Sequence, residues 1–406
     1  MIPELPCRPY LLKNRIQHYD WGMRDEQALI PKLLNIKPET GKPYAELWIG
    51  AHPKAPSILL SKEGEYALDR VIEQYPEKFL GKQINNRFAG KLPFLLKVLS
   101  AGESLSIQTH PDKKTAELLH KNDPRHYPDD NHKPEIAIAL DSLKALVGFR
   151  PIQEIVSVFK KYSNLTEFFD SASFHEIVEN KGRKESEKLY SIFSTIMHKA
   201  QKYPEKLEQV CQALDSDFRN KKQLAEREAL FIELYEKYGS DVGLIVIYLL
   251  NLINLQKGQG VFLKAGVPHA YLKGNIIECM ANSDNVVRAG LTPKYKDIAT
   301  LVDIVDYNAG LPEIQKPGDE SDKRMDYQVP APEFKISRYK LKSSEKIEFT
   351  HKHKLEILIL ITGRILIDTH HEKLVINKGQ TILIPGCLSD YQFKGQMDST
   401  FFRVTL

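Results

Sequence analysis

The stretch that decides the fold reads Gly258-Gln259-Gly260-Val261-Phe262-Leu263-Lys264-Ala265-Gly266-Val267-Pro268-His269. Glycines bracket a short run of strand-forming residues, and a histidine follows, so the stretch predicts a β-strand that ends in a tight turn. A second stretch begins at Gly379 and can be matched to the first position by position. Pro385 stands where the first stretch has Lys264, and Cys387 and Asp390 stand where it has Gly266 and His269. We therefore expect two related β units, of which the first carries the chemistry and the second is structural.

Working outward from these stretches, the chain divides into zones of different periodicity. Before residue 150, short apolar runs alternate with Pro and Gly, which predicts strands. After it, apolar residues recur at helical spacing, as in Leu189, Ile192, Phe193, Ile196 and Met197. The expected fold is mainly β with an α-helical insertion, divided into a first β unit over 1–150 and 257–315, a helical domain over 151–256 and a C-terminal β unit over 325–406.

The most apolar segment, Leu244 to Leu250, is predicted to be part of a buried helix that runs to Leu255 and ends near Gly258. It is much shorter than the roughly 20 apolar residues that cross a bilayer. The N-terminal residues have neither the charged nor the apolar part of a signal peptide. We therefore expect no membrane partner and no export.

Composition excludes several classes of protein. The 406 residues carry 57 Lys+Arg against 53 Asp+Glu and are 42% hydrophobic, so a disordered chain is excluded. No basic run with interleaved aromatic residues indicates a nucleic-acid partner. The four cysteines, Cys7, Cys211, Cys279 and Cys387, are widely spaced, which predicts neither a thiolate metal site nor a disulfide scaffold and favours a cytoplasmic location.

Three segments carry side chains that could bind a metal ion. Strict alternation in 104–110 would place Ser106, Gln108 and His110 on one face of a strand, although a solvent-facing polar strand would show the same pattern. Lys133 and Glu135 share a face by the same period, and so do His269 and Tyr271. The alternative for Lys133 and Glu135 is a surface ion pair.

Gln108, His110, Glu135 and His269 together offer two imidazole nitrogens and two oxygens. Such a mixed set suits zinc with a position left open for water or substrate, although nitrogen and oxygen sites also accept Co, Ni, Mn or Fe. Two cations stand out beyond this set. Arg288 lies in a polar, turn-rich segment that could close over a site, and Lys97 lies in an apolar strand, where it either extends to water or binds an anion.

Several segments closely resemble type I mannose-6-phosphate isomerases, in the same order along the chain. They are Tyr19-Asp20-Trp21-Gly22, Ala45-Glu46-Leu47-Trp48-Ile49-Gly50-Ala51-His52-Pro53, Leu92-Pro93-Phe94-Leu95-Leu96-Lys97, Ser106-Ile107-Gln108-Thr109-His110-Pro111, Asn131-His132-Lys133-Pro134-Glu135 and Asn285-Val286-Val287-Arg288-Ala289-Gly290-Leu291-Thr292-Pro293-Lys294. The glycine-framed stretches are similar to the second motif of cupin barrels. The resemblance implies two cupin-like jelly-roll barrels plus a helical domain.

For the site, the resemblance implies one Zn²⁺ per chain, held by Gln108, His110, Glu135 and His269. It places the substrate against Ser106, Lys97, Tyr271 and Trp21, and it gives catalytic roles to Arg288, Lys133, His132 and Asp284. Lys264 departs from the cupin pattern, which has proline there. His351, His353 and Glu356 partly match a first cupin motif, but Asp390 stands where a histidine is needed, so we expect no second metal site.

The implied activity is that of a zinc-dependent aldose–ketose isomerase, which interconverts mannose 6-phosphate and fructose 6-phosphate by proton transfer between C1 and C2 through an enediol. His132, Lys133 and Asp284 are alternative general bases, and the sequence does not choose among them. The competing hypotheses are a metal-dependent cupin oxygenase and a non-catalytic cupin that binds a sugar phosphate. The expected partner is a small sugar phosphate, and the expected state is a monomer.

Overall fold

The computed structural model describes residues 2–169, 171–319, 321–350, 353–369, 372–388 and 390–406, without the side chains of 171–173. His351, part of the partial match to a cupin motif, lies outside the described residues. The secondary structure is mixed, with 30% helix and 33% strand, and the sheets are antiparallel. Helix therefore makes up a larger share of the chain than the expected mainly β fold would contain. No helix among the described residues is both long and apolar enough to span a membrane.

The strands are numbered in chain order. They are β1 (Tyr10–Lys13), β2 (Arg15–Gln17), β3 (Met23–Arg24), β4 (Pro43–Tyr44), β5 (Glu46–Gly50), β6 (Ile58–Ser61), β7 (Gly64–Ala67), β8 (Phe94–Ala101), β9 (Ile107–Thr109), β10 (Glu135–Phe149), β11 (Leu250–Gln256), β12 (Gly260–Leu263), β13 (His269–Ala281), β14 (Val287–Gly290), β15 (Ile314–Gln315), β16 (Arg324–Asp326), β17 (Lys335–Leu341), β18 (Lys346–Phe349), β19 (Glu356–Thr362), β20 (Arg364–Thr369), β21 (Lys373–Asn377), β22 (Thr381–Ile384), β23 (Tyr391–Gly395) and β24 (Ser399–Thr405).

The helices are α1 (Leu29–Leu34), α2 (Leu68–Gln74), α3 (Pro76–Leu80), α4 (Lys82–Arg87), α5 (Lys113–Asn122), α6 (Ile152–Lys161), α7 (Ser171–Glu179), α8 (Glu185–Lys202), α9 (Pro204–Arg219), α10 (Glu226–Tyr238), α11 (Gly243–Val246) and α12 (Ile298–Ile304). Short 3₁₀ turns cover Asp25–Gln27 and Ser163–Phe168. The predicted apolar stripe lies on α8, and all five of its residues are buried. This stripe packs into the largest hydrophobic cluster, together with side chains from α6, α9 and α10.

A ten-stranded sheet positions the candidate site residues. Its path runs β15-β12-β10-β13-β8-β5-β2, with β11 paired to β10, and β9 paired to β13 and β14. Along β10, Ile136 and Ile138 enter a core shared with the eight-stranded sheet, whereas Ala137 and Ala139 belong to a cluster on the opposite face. Because side chains alternate along a strand, Glu135 lies on the face of the two alanines, where small residues leave space.

Two further sheets contain the C-terminal strands, and β3 and β4 form a separate two-stranded sheet. The eight-stranded sheet runs β16-β17-β24-β19-β22-β1-β6-β7, and the four-stranded sheet runs β18-β23-β20-β21. Side chains from both sheets meet in one apolar cluster. The N-terminal strands β1, β6 and β7 extend the eight-stranded sheet, so the sheets cross the boundary expected between residues 1–150 and the C-terminal β unit.

The repeated stretches adopt the same local backbone. Gly258 and Gly379 both have φ of +82°, a conformation that residues with a side chain rarely adopt. Each glycine precedes a short strand, β12 in the first stretch and β22 in the second. The prediction of a strand ending in a turn is therefore confirmed for both stretches.

The prediction of a buried helix through Leu255 is wrong. Only Gly243–Val246 is helical, and the chain then forms β11, which pairs with the second half of β10. In β11, Ile253 and Leu255 are buried while Asn254 and Gln256 are exposed. This is the two-residue period of a strand, which a short apolar run does not distinguish from helix by composition.

The cysteine spacing predicted no disulfide scaffold, and it did not reveal the one disulfide that the described residues contain. Cys7 and Cys387 are bonded across a sequence separation of 380 residues, which ties the N-terminal segment to the loop after β22. Cys211 and Cys279 are free and buried. Spacing could not reveal the pair, because only the sheet that joins β1 to β22 brings the two ends of the chain together.

Candidate active site

Neighbouring strands of the ten-stranded sheet bring together residues that are far apart in sequence. Glu135 begins β10, His269 begins β13, and Gln108 lies in β9 with His110 directly after it. In the strand register Gln108 stands opposite both His269 and Arg288. The four residues expected to bind a metal therefore lie in, or directly after, three adjacent strands.

His110, Glu135 and His269 converge on one point. Their ligand atoms all lie within 4.8 Å of one another, and the three residues are buried. Nε2 of His269 is 2.9 Å from Oε1 of Glu135, and Nε2 of His110 is 3.6 Å from Oε2. Both Nε2 atoms and Oε2 are buried and make no hydrogen bond with any described residue. Buried polar atoms normally have partners, so these orphaned atoms fit a cation between them.

The opposite edge of each imidazole is fixed by the backbone. Nδ1 of His110 donates to the carbonyl of Asn285 at 2.7 Å, and Nδ1 of His269 donates to the carbonyl of Val267 at 2.9 Å. With the proton on Nδ1, each ring directs the lone pair of Nε2 toward Glu135. Such backbone bonds orient histidine ligands in metal sites.

The protonation states suit metal binding as well. Burial and the nearby charge of Lys133 lower the pKa of His110 to about 4, so its imidazole is neutral at neutral pH. Burial alone would raise the pKa of Glu135, but Lys133 and His110 hold that pKa well below its ordinary value. The result is an ionised carboxylate beside a neutral imidazole, which is the form in which these side chains bind metal ions.

Gln108 and Ser106 line the same strand edge. The side-chain oxygen of Gln108 lies 3.5 Å from Oγ of Ser106, and both residues are partly buried. Gln108 also faces His269 directly in the register. The strand register thus brings Gln108 to the edge of the cluster of His110, Glu135 and His269.

Lys133 and Tyr271 flank Glu135. Nζ of Lys133 is buried 3.6 Å from Oε2 of Glu135. The hydroxyl of Tyr271 lies 3.5 Å from Oε1, and burial raises its pKa well above the ordinary value. The two residues border the site with one cation and one protonated hydroxyl.

Lys97 is already paired in this structure. Its Nζ lies 2.9 Å from Glu278 and 3.5 Å from Glu46, and it stands over the ring of Trp48 at 5.4 Å. Burial opposes its charge, but the two carboxylates raise the pKa of Lys97 above its ordinary value. The buried group of one cation and two acids carries a net negative charge, so Lys97 does not present a free positive charge to a phosphate.

Arg288 has the opposite character. It is half-buried, and burial lowers the pKa of its guanidinium from the ordinary value. No ion pair or hydrogen bond of its side chain is found within the described part of the chain. An unpaired guanidinium at the edge of the candidate metal cluster is suited to bind an anion.

Asp284 is held by two basic residues. Its carboxylate lies 2.7 Å from Nζ of Lys54 and 3.5 Å from Nε2 of His52. Burial would raise the pKa of Asp284, but hydrogen bonds from His52 and Lys54 keep it well below the ordinary value. A carboxylate with such a low pKa is a weak base, so this geometry disfavours Asp284 as the general base.

His132 and Trp21 each have a partner outside the group of His110, Glu135 and His269. Nε2 of His132 lies 2.7 Å from Oε1 of Glu333, which belongs to the segment before β17. Trp21 stacks on the exposed ring of Tyr19, with 5.7 Å between the ring centres, and packs against the cluster that contains Tyr271. Both site residues therefore have aromatic or charged partners that the sequence did not reveal.

Sequence reasoning missed Glu278 and Glu46 as partners of Lys97. An acid inside the apolar run of β13 was a usable signal, since it is as unexpected in a strand as Lys97 itself. Glu278 stands directly opposite Lys97 in the register. No comparable signal marked Glu333, because its contact with His132 spans 201 residues.

Comparison with known proteins agrees with this geometry. Residues 10–152 match the family model described as phosphomannose isomerase type I, catalytic domain. The chain is 35% identical to mannose-6-phosphate isomerase of Mus musculus over 398 residues, which cover 93% of each chain. It is 35% identical to the Homo sapiens mannose-6-phosphate isomerase over 378 residues, with 89% of each chain covered.

Solved structures give the same result over nearly the full length. A mannose 6-phosphate isomerase crystallised in a zinc-bound holo form superposes with a TM-score of 0.83 at 31% identity, covering 98% of this chain and 99% of that one. A mutant of phosphomannose isomerase from Salmonella typhimurium superposes with a TM-score of 0.84 at 32% identity and the same coverage.

Proposed function

The chain belongs to the type I phosphomannose isomerase family, and we propose that it interconverts mannose 6-phosphate and fructose 6-phosphate at the site around Glu135. The observation that carries this proposal is the buried group of His110, Glu135 and His269, whose free ligand atoms converge beside the unpaired Arg288. A cation site next to an anion site is what isomerisation of a phosphorylated sugar needs.

The proposed cofactor is one Zn²⁺ per chain, held by Gln108, His110, Glu135 and His269. The donor set fits, because two neutral imidazoles and an ionised carboxylate are common zinc ligands. When bound, zinc supplies a Lewis acid that polarises the carbonyl oxygen of the sugar. The zinc-bound structural relative supports this choice over the other metals that such a site accepts.

The proposed substrate contacts come from the chain around the cluster. Arg288 and Ser106 would bind the anionic sugar phosphate, and Tyr271 and Trp21 would border the sugar. The charge of Lys97 is compensated by Glu46 and Glu278, so Lys97 would not bind the phosphate directly. It would instead hold these two acids in place and keep the adjoining wall of the site charged and ordered. We assign the phosphate to Arg288 and not to Lys97 because Lys97 has carboxylate partners and Arg288 has none among the described residues.

Proton transfer between C1 and C2 needs a group that takes a proton and returns it. We assign this chemistry to Lys133 and His132, since Asp284 is held by Lys54 and His52. Nζ of Lys133 lies 3.6 Å from Oε2 of Glu135, and His132 precedes Lys133 in sequence. Asp284 instead anchors the segment that carries Arg288.

The proposal also includes the arrangement of the domains. We assign two cupin-like jelly-roll barrels, with the helical insertion over 151–256 ending in the strand β11. The first barrel holds the site, and the second is packed with apolar side chains. A cytoplasmic monomer with a small sugar phosphate as its partner stays a prediction from the sequence.

A coupled assay tests the proposed activity. Purified protein with zinc should form fructose 6-phosphate from mannose 6-phosphate, and removal of the metal with a chelator should abolish turnover until zinc is restored. No turnover in the zinc-replete protein would refute the isomerase. Oxygen uptake under the same conditions would favour the oxygenase, and binding of mannose 6-phosphate without turnover would favour the non-catalytic cupin.

A further inference from the structure

One acid of the C-terminal part of the chain reaches the candidate active site. Oε1 of Glu333 lies 2.7 Å from Nε2 of His132, which immediately precedes Lys133. We infer that Glu333 is a positioning residue, which orients the imidazole of His132 and stabilises its charged form during proton transfer. The inference rests on the proposed isomerase function and adds a residue to it.

Glu333 is held rigidly enough to orient a partner. The next residue, Phe334, is fully buried in the core shared by the ten-stranded and eight-stranded sheets. Six residues before Glu333, the hydroxyl of Tyr327 donates to the carbonyl of Gly258 at 2.8 Å. The segment is therefore fixed on both sides of Glu333, and the acid approaches His132 from a packed scaffold.

The carboxylate is costly where it lies. The side chain of Glu333 is only 8% exposed, and its second oxygen, Oε2, is buried without a hydrogen bond to any described residue. A buried charge with one partner is seldom worth more to stability than apolar packing of the same volume. The presence of an acid there is better explained by what it does to His132 than by its contribution to folding.

The contact determines which nitrogen of His132 can exchange a proton. A carboxylate accepts only, so Nε2 carries the proton that it shares with Glu333. Nδ1 then presents a lone pair. Within the part of the chain that the structure describes, no hydrogen bond is made to this Nδ1 atom. A proton taken from the substrate at Nδ1 gives an imidazolium that Glu333 stabilises, and its later return to the substrate balances the step.

This arrangement makes the C-terminal part of the chain a contributor to the site. His132 lies in the loop before β10, whereas Glu333 lies beyond the helical insertion and the polar stretch around residues 311–332. The side chain of His132 is 24% exposed, so one face of the ring stays open toward solvent or substrate. A fragment that stops before Glu333 would lose the partner of His132.

The test is the steady-state kinetics of Glu333→Gln, which keeps the shape and removes the charge. Removing the hydrogen-bond partner of a metal-ligating histidine typically costs about 10–100-fold. For the partner of His132 we expect a fall in kcat of the same order, ~10–100-fold. KM and Tm should stay near the wild-type values. Glu333→Asp, which restores the charge on a shorter side chain, should recover part of kcat. Glu345→Gln is the matched control, because Glu345 lies on the same part of the chain and pairs with the exposed Lys323.

The same substitution in a His132→Asn background separates positioning from a general effect on the fold. If Glu333 acts through His132, Glu333→Gln should cause no further loss of kcat there. An equal loss in both backgrounds, or a wild-type kcat in Glu333→Gln, would overturn the inference while leaving the isomerase intact. If Glu333→Gln does not fold, Glu333→Asp takes its place in this comparison. A kcat that falls below the wild-type value in Glu333→Asp, with no further loss in the His132→Asn background, supports positioning, and an equal loss in both backgrounds or a wild-type kcat overturns it. A wild-type protein without turnover would instead refute the proposed function.

Discussion

Two buried glutamates occupy matching places beside the two glycine-framed stretches, in the proposed first and second β units. Glu135 begins β10 and pairs with Leu263 at the end of β12, and Glu356 begins β19 and pairs with Ile384 at the end of β22. Leu263 and Ile384 are matching positions of the two glycine-framed stretches. The surroundings of the two acids differ: Glu135 faces two histidines with an orphaned oxygen, whereas Glu356 accepts from Arg403 and Tyr391, each at 2.6 Å.

The difference shows how one backbone can serve two purposes. In the C-terminal unit the positive charge comes from the guanidinium of Arg403, whose pKa lies above its ordinary value because Glu356 outweighs the effect of burial. The neighbouring interior is apolar, with Phe349, Phe393 and Phe401 in one cluster. In the first unit Lys133 supplies one positive charge beside Glu135, and a second is proposed to come from bound zinc. Glu135 thus remains part of a site that the substrate reaches.

The largest effect should follow from removing a proposed ligand. Because residues that merely orient ligands are worth about 10–100-fold, His269→Ala should lower kcat/KM by at least ~10²-fold and reduce bound zinc. The coupled assay and metal analysis of the purified protein measure both quantities. Asp390→Ala alters the matching position of the second stretch, and that variant should keep wild-type activity and zinc content.

A fully active His269→Ala enzyme, or an equal loss in Asp390→Ala, would contradict the assignment of the metal to the first unit. Zinc analysis also tests the expectation that the second unit binds no metal. About one equivalent per chain is expected, and a second equivalent that persists in the His269→Ala variant would contradict the expectation of no second metal site.

The second prediction concerns the stability of the C-terminal pair. Arg403→Met leaves Glu356 buried without its cation, which should lower the free energy of unfolding by about 3–5 kcal/mol. The double variant Glu356→Leu with Arg403→Met removes both charges and should recover most of that loss. Denaturant unfolding measures the stabilities. The kcat of the folded variants should stay unchanged, and a large fall in kcat would show that the second unit's pair also serves the site.

Local patterns were enough to predict much of this arrangement. Alternation along single strands placed Gln108 and His110 at one edge, and put Glu135 on a face with small residues. The repeated glycine spacing predicted the two matching turns, because a positive φ at Gly258 and Gly379 is a local requirement. Such features depend on a few consecutive residues, and a sequence displays them directly.

What the sequence did not reveal depends on distant contacts. The strand β11 forms because β10 is available to pair with it, although its apolar composition also suits a buried helix. The contact between Glu333 and His132 and the Cys7–Cys387 disulfide arise only when sheets from both ends of the chain pack together. The pairing of Lys97 with two acids likewise needs the register of three strands.

The third prediction uses the disulfide, because Cys387 takes the place of Gly266 in the second stretch. Its bond to Cys7 closes almost the whole chain, so Cys7→Ser should lower the free energy of unfolding by about 2–4 kcal/mol with little change in kcat. Denaturant unfolding with and without a dithiol reductant checks this. The reductant should not destabilise Cys7→Ser further, and four free thiols in the unreduced, denatured wild type would contradict the bond.

A third buried carboxylate, in the helical part, extends the comparison to a group with no metal and no guanidinium partner. Glu228 accepts hydrogen bonds from Lys221 at 2.7 Å, from the backbone of Ala225 at 2.8 Å and from Tyr162. Burial alone would raise the pKa of Glu228, but these bonds outweigh it and lower the pKa to about 2. Glu228→Gln should therefore lower the free energy of unfolding at neutral pH by ~1–3 kcal/mol.

The pH dependence gives this prediction its sign. A carboxylate with a lowered pKa stabilises the fold above its unfolded pKa, near 4.5, and that stabilisation disappears as the pH falls toward 2. The difference between wild type and Glu228→Gln should thus be full at pH 7 and shrink between pH 4.5 and 2. The exposed Glu233 on the same helix is the control, and Glu233→Gln should change stability by less than ~0.5 kcal/mol. A difference that grows on acidification would mean that the bonds to Glu228 do not hold its charge in the fold.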